Sequence, residues 1–165
     1  MGKAVLKLRA ALKDIYLNLR LAFCPQISFK SKLLKVKEII GYYPNDLSLY
    51  ETAFVHCSAT YTSSDENHTP INNERLEYLG DAILGAIVAD LLYHKFPQAD
   101  EGFLTQMRSR IVSRQNLNKV AKEIDLDKLM ISNLGKGSRK NIFGDAFEAL
   151  VGAIYLDKGY KTAES

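Results

Sequence analysis

From Val5 to Asp157 the apolar side chains recur every three to four residues, and nowhere do they alternate with period two over a useful length. A chain patterned this way buries helix stripes and has no half-buried strands to pair, so the expectation is an all-α domain. Its 165 residues suffice for one domain with a sizeable core and are too few for two full ones. Val5–Phe23 reads as a helix closed by Pro25, and Ser31–Ile40 as a second, short one ended by Gly41. Asn45 or Asp46 can cap a helix through Leu49, Ala53, Phe54 and His56. Asn72 or Asn73 can cap a long one that Pro97 stops near Phe96. Asp100 and Ser113 each open a further helix, and Asn141–Asp157 makes the last full one, ending near Gly159. The polar stretch Ser63–Pro70 and the basic, Gly-containing stretch Lys136–Lys140 read as loops.

Charge divides the chain unevenly. Residues 1–37 hold nine Lys and Arg against the single acid Asp14, whereas the remainder holds 13 basic and 18 acidic residues. Residues 1–40 are accordingly set apart as a basic helical extension, and 41–165 as the main domain. Such a segment suits a polyanion partner, complementarity to the acidic body, a solvated helix face or an organelle-targeting helix. The longest apolar candidate, Ala82–Leu92, is interrupted by Asp90 and falls short of a membrane span. Met1–Phe23 carries charges throughout and does not read as a signal peptide. Cys24 and Cys57 have no metal-binding spacing, which suits reduced thiols in the cytoplasm.

The chemistry is concentrated in two segments. In Asn73–Ala82 (NERLEYLGDA), Glu74, Glu77 and Asp81 fall within roughly 60° of one another at helical pitch. Leu76, Leu79 and Ile83 take the opposite side, expected to face the core. In Gly144–Gly152 (GDAFEALVG), Asp145 and Glu148 repeat that spacing, with Phe147, Leu150 and Ile154 opposite. Where the first segment has Asp81 the second has Gly152, so two acidic faces could approach closely around a cation. Like charges on one stripe repel by a few tenths of a kcal/mol per pair, which asks for a compensating ion. An oxygen-only ligand set suits Mg²⁺ or Mn²⁺, ions able to activate water at a phosphorus. Solvated acidic faces without metal are the alternative, and these residues alone do not separate the two.

The first segment resembles the signature of the ribonuclease III family, which reads close to NERLEFLGDA. Asp100–Leu104 and Met107–Val112 resemble the family's next block, Gly144–Gly159 its second catalytic block, and Ala53–Ser58 (AFVHCS) an upstream ALTHRS-like helix. Order and spacing agree from about Tyr43 to Gly159. The resemblance implies a helical endonuclease domain over 41–165 that hydrolyses double-stranded RNA with Mg²⁺ (Mn²⁺ as substitute) and no small-molecule cofactor. It implies 5′-phosphate and 3′-hydroxyl ends with short 3′ overhangs, rRNA or mRNA precursors as substrates, a cytoplasmic location and no membrane association. Asp81 and Glu148 match the positions named as catalytic, and by the same resemblance Glu77, Asp81, Asp145 and Glu148 would form the metal-binding group. Glu74 and Glu101 match outer-shell or RNA-positioning acids, although Glu101 is equally a helix N-terminal acid behind Asp100.

A homodimer is also implied, whose two centres cut opposite strands. Tyr78 stands where the family usually has a Phe that contacts the partner; an ordinary core ring is the alternative. Arg108, Arg110, Arg114, Lys136, Arg139 and Lys140 are candidates for holding the RNA backbone, since duplex RNA is read mainly through shape and phosphates. Family members usually continue into a double-stranded-RNA-binding domain, so the stop at Ser165 suggests a truncated chain, although relatives lacking that domain exist. Two rival readings are a non-catalytic RNA- or ribosome-binding module of the same fold, and an all-helical interaction protein with acidic faces.

Overall fold

The computed structural model describes residues 27–60, 71–135 and 142–165, with side chains from residue 33 onward in the first of these segments. The expected helix Val5–Phe23 and the loops at 63–70 and 136–140 lie largely or wholly outside the described residues. Two compact units are present, one ending at Tyr43 and the other spanning Pro44–Ser165.

In the first unit, α1 runs Ile27–Ile40, several residues longer at its start than the apolar pattern indicates. Gly41, at φ 78°, ends it and donates its N–H to the Lys37 carbonyl at 2.8 Å. The Lys37 ammonium lies 3.9 Å from the centroid of the Tyr43 ring.

The second unit contains α2 (Leu47–Ala53), α3 (Glu74–Lys95), α4 (Glu101–Ile111), α5 (Arg114–Glu123), α6 (Ile142–Lys158) and the short α7 (Tyr160–Glu164). Among the described residues there is no strand, only an isolated parallel bridge between Val55 and Ile131. The caps follow side-chain chemistry. Asp46, Asp100 and Ser113 accept N–H groups of the first turns of α2, α4 and α5. At α3 the work falls to Asn72, whose Oδ1 accepts the Glu74 N–H at 3.1 Å. Asn73 already has helical backbone angles and makes no side-chain cap.

Two expectations need correction. The helix expected to reach His56 stops at Ala53. Beyond it the backbone is spent on other partners: Ile131 N–H donates to the Phe54 carbonyl at 2.8 Å, and His56 N–H to the Ile131 carbonyl at 3.0 Å. The Val55 carbonyl accepts the Asn73 N–H at 2.9 Å, which ties this extended stretch to the start of α3. The buried line of α3 is also not Leu76, Leu79 and Ile83 but Leu76, Gly80, Val88 and Leu92, with Leu79 and Ile83 half-buried.

The cause is α6. Its buried residues (Ile142, Gly144, Ala146, Ala149, Leu150, Val151, Gly152 and Ala153) surround the helix, leaving Phe147 and Ile154 half-buried. A helix apolar all round belongs in the middle of a domain, and α3, α5 and α2 pack on it. At the α3–α6 crossing the main chains meet. A Cβ on Gly80 would collide with the Glu148 carbonyl, and one on Gly152 with the Leu76 carbonyl. Leu117 and Ala121 of α5 and Tyr50 and Ala53 of α2 complete the core.

Asp157, near the end of α6, fastens α2. Its side chain, 2% exposed, accepts the Asn45 N–H at 3.0 Å, the Asp46 N–H at 3.0 Å and the Tyr50 hydroxyl at 3.0 Å.

A carboxylate-lined cleft at the helix crossing

The glycine crossing decides where the acids go. Glu77 lies one turn before Gly80 on α3, and Glu148 one turn before Gly152 on α6, so close approach of the backbones draws the two stripes together. They line a cleft of about 480 Å³ whose walls include Glu74, Glu77, Tyr78, Asp81, Asp145 and Glu148. One carboxylate oxygen from each of Glu77, Asp145 and Glu148 lies within 4.8 Å of the others. Asp81 lines the same cleft outside that trio and is exposed.

The electrostatics are those of crowded acids short of countercharge. Burial, reinforced by the charges of Asp81, Glu77 and Asp145, pushes the Glu148 carboxyl up to about 7. Burial and then the Asp145 charge raise Glu77, with Glu74 and Asp81 adding to the effect. Arg114 opposes both shifts; its guanidinium stands 3.5 Å from an Asp145 oxygen. A divalent cation would relieve this repulsion directly. The donor set is oxygen-only and its atoms are spaced for a single ion, so these residues fit Mg²⁺ or Mn²⁺.

Three cleft residues are absent from the site residues expected from the sequence: His56, Cys57 and Asn73. The backbone ties among 54–56, Ile131 and Asn73 bring them to the start of α3. His56 Nδ1 accepts the Ser58 N–H at 3.1 Å, which leaves the proton of a neutral ring on Nε2. Burial, and then the neighbouring Glu74 carboxylate, raise the Cys57 thiol above its ordinary value. Asn73 is 1% exposed and its amide nitrogen has no hydrogen-bond partner. The AFVHCS block was the only signal for the first two.

Other expected site residues fall elsewhere. Glu101 is not in this cleft; it lies exposed in the first turn of α4, and its Oε1 accepts the Thr105 hydroxyl at 2.9 Å. Arg108 and Arg110 are exposed in the last turn of α4, and Lys136, Arg139 and Lys140 lie outside the described residues. Tyr78 is 83% exposed, which rules it out as a core ring within this chain.

A family described as ribonuclease-III-like matches residues 46–165. Ribonuclease 3 of Zunongwangia profunda is 51% identical over 125 residues, 75% of this chain and 51% of that protein. Ribonuclease 3 of Bacteroides thetaiotaomicron is 52% identical over 124 residues, 74% of this chain and 39% of that one. The chain thus spans about half the length, or less, of the curated relatives it matches. Among solved structures, the ribonuclease III nuclease domain of Campylobacter jejuni, which has a region involved in dimer formation, superposes with a TM-score of 0.68 at 31% identity, covering 79% of this chain and 89% of that one. Dicer from Pichia stipitis superposes at 0.55 with 34% identity, covering 72% of this chain and 49% of that one.

Proposed function

Because the chain belongs to the ribonuclease III family, we propose that it is a divalent-cation-dependent endonuclease of double-stranded RNA, with residues 41–165 as its catalytic domain and 1–40 as a basic extension. The observation that carries this reading is the meeting of Glu77, Asp145 and Glu148 from two different helices within a single ion's reach. In the proposed centre Glu77, Asp81, Asp145 and Glu148 would hold Mg²⁺, for which Mn²⁺ could substitute. Bound there, the cation supplies water activation and charge neutralisation at the scissile phosphate.

Asp81 and Glu148 orient the attacking water from the two walls of the cleft. A new bond forms between the water oxygen and phosphorus as the water gives up a proton, and the bond to the 3′-oxygen breaks as that oxygen takes a proton up. A 5′-phosphate and a 3′-hydroxyl result. Glu74 hydrogen-bonds the Asn72 amide at 3.0 Å and serves as an outer-shell acid. Glu101 belongs to RNA positioning, away from the ion. Arg108, Arg110 and the 136–140 loop offer backbone cations, which an acidic centre needs around it to retain a polyanion.

The working unit in this reading is a two-fold homodimer, whose paired centres cut opposite strands and leave short 3′ overhangs. The exposed ring of Tyr78 and an α4 without a single buried residue support that assembly. Precursors of rRNA and mRNA are the proposed substrates, and the cytoplasm the proposed location. No helix among the described residues is long and apolar enough to cross a membrane.

The test is incubation of the purified chain with duplex and single-stranded RNA, with and without Mg²⁺, followed by analysis of product ends. Cation-dependent cutting of the duplex alone is expected. Cutting at the same positions without a cation would refute the mechanism. Inactivity at low salt with excess Mn²⁺ would leave a binding module.

A further inference from the structure

Arg114 is the one basic residue seen paired with an acid of the cleft among the described residues, and its placement is built rather than incidental. It is the first residue of α5, behind the Ser113 cap. One turn on, Asn118 is 9% exposed and spends both ends of its amide on a tether. Its Nδ2 donates to the Arg114 carbonyl at 2.8 Å, and its Oδ1 accepts the Gly144 N–H at 2.9 Å. Gly144 immediately precedes Asp145. A Cβ at Gly144 would lie 3.4 Å from Leu117 Cβ and 3.5 Å from the Arg114 carbonyl, so α5 presses its first turn against the start of α6.

The guanidinium consequently stands 3.5 Å from Asp145, where it faces the same carboxylate that the cation needs. The Arg114 side chain remains 66% exposed while that of Asp145 is 18% exposed, so the arginine is free to turn away and the aspartate is not. An exposed ion pair is weak and exchanges readily for a better partner.

We propose that Arg114, positioned by Asn118, competes with the divalent cation for Asp145 and, once displaced, pairs with an RNA phosphate at the cleavage centre. The inference rests on the reading of the cleft as a cation-dependent nuclease site. It adds an order to that reading. Arg114 neutralises Asp145 until the cation takes over the carboxylate, and the freed guanidinium then meets the phosphate that the cation attracts. Arginine suits both tasks, because its planar fork matches carboxylate and phosphate alike and does not lose its charge at working pH.

Calorimetric titration of RNA-free protein with Mn²⁺ tests the first half, and the salt dependence of KM for duplex RNA tests the second. Arg114→Gln should bind Mn²⁺ roughly two- to fivefold more tightly than the unmodified chain, because an exposed competitor has gone. The same variant should lose about one unit from the slope of log KM against log salt. Arg114→Lys should restore the salt slope. Asn118→Ala should tighten Mn²⁺ binding although Arg114 is still present. Unchanged or weaker Mn²⁺ binding in Arg114→Gln overturns the competition, an unchanged salt slope overturns the phosphate contact, and unchanged affinity in a folded Asn118→Ala overturns the tether. Should the unmodified chain bind no Mn²⁺ and cut no RNA, the nuclease reading itself fails, which is a separate result.

Discussion

Glu148 holds its proton up to about pH 7 because burial and three neighbouring carboxylates oppose its charge. An unfolded chain releases that proton near the ordinary glutamate value of about 4.5, so between the two values the folded state binds more protons. The stabilising contribution is therefore complete below the unfolded value and is lost as pH rises through about 7. The melting temperature of cation-free protein should fall from about pH 5 to about pH 8, and Glu148→Gln should flatten that fall and raise the value at the alkaline end. A thermal scan in chelator shows it; a level profile for the unmodified chain would reject the argument. Since the cation displaces that proton, Mg²⁺ affinity should climb with pH and level off above about 7. Glu148→Gln should abolish cleavage while leaving the helical spectrum intact. Asp157 makes a contrasting case, a buried acid whose lone pairs are used. Asp157→Ala removes the acceptor of two backbone N–H groups and of the Tyr50 hydroxyl, and should cost on the order of 3 kcal/mol in denaturant unfolding. Nothing in the sequence marks this clamp, because its partners lie more than a hundred positions away. The acids of α3 and α6 were readable because three- and four-residue spacings put them on one stripe before any tertiary contact is known.

Helix positions followed from caps and breakers wherever the relevant chemistry was local, as at Asp46, Asp100, Ser113, Pro97 and Gly159. They failed where tertiary pairing took the backbone, as at Phe54–His56. The buried side of α3 was misjudged for a related reason. Apolar content pointed to Leu79 and Ile83, whereas the crossing selects the residue with no side chain, Gly80. Gly152 could be picked out as the place for a close approach, but its counterpart on α3 could not. The crossing is unforgiving: the atoms in the way of an added methyl are main-chain carbonyls, which no rotamer change can move. Gly80→Ala and Gly152→Ala should each destabilise by about 3 kcal/mol or more and, by spreading α3 from α6, weaken Mn²⁺ binding. Gly85→Ala, which meets nothing within 4 Å on the same helix, should be neutral or slightly stabilising and serves as the control. Equal behaviour of Gly80→Ala and Gly85→Ala in calorimetry would dispose of the crossing as the organiser of the cleft.

For the assembled molecule the measurable question is association. Tyr78→Ala should shift the proposed dimer toward monomer by light scattering at micromolar concentration and lower the proposed paired-strand cutting with it, while Tyr78→Phe should behave as the parent. A chain that stays monomeric at tens of micromolar yet cuts both strands together would exclude the two-fold arrangement. The helix crossing also carries a consequence for the protein's birth. α3 is made before α6, and the carboxylate trio needs both, Glu77 from the first and Asp145 and Glu148 from the second. A ribosome that has released α3 but not α6 therefore presents a stripe of repelling acids and an incomplete carboxylate trio. On the proposed reading, a growing chain cannot cut the structured RNA around it, its own messenger included, until α6 has emerged and docked on α3.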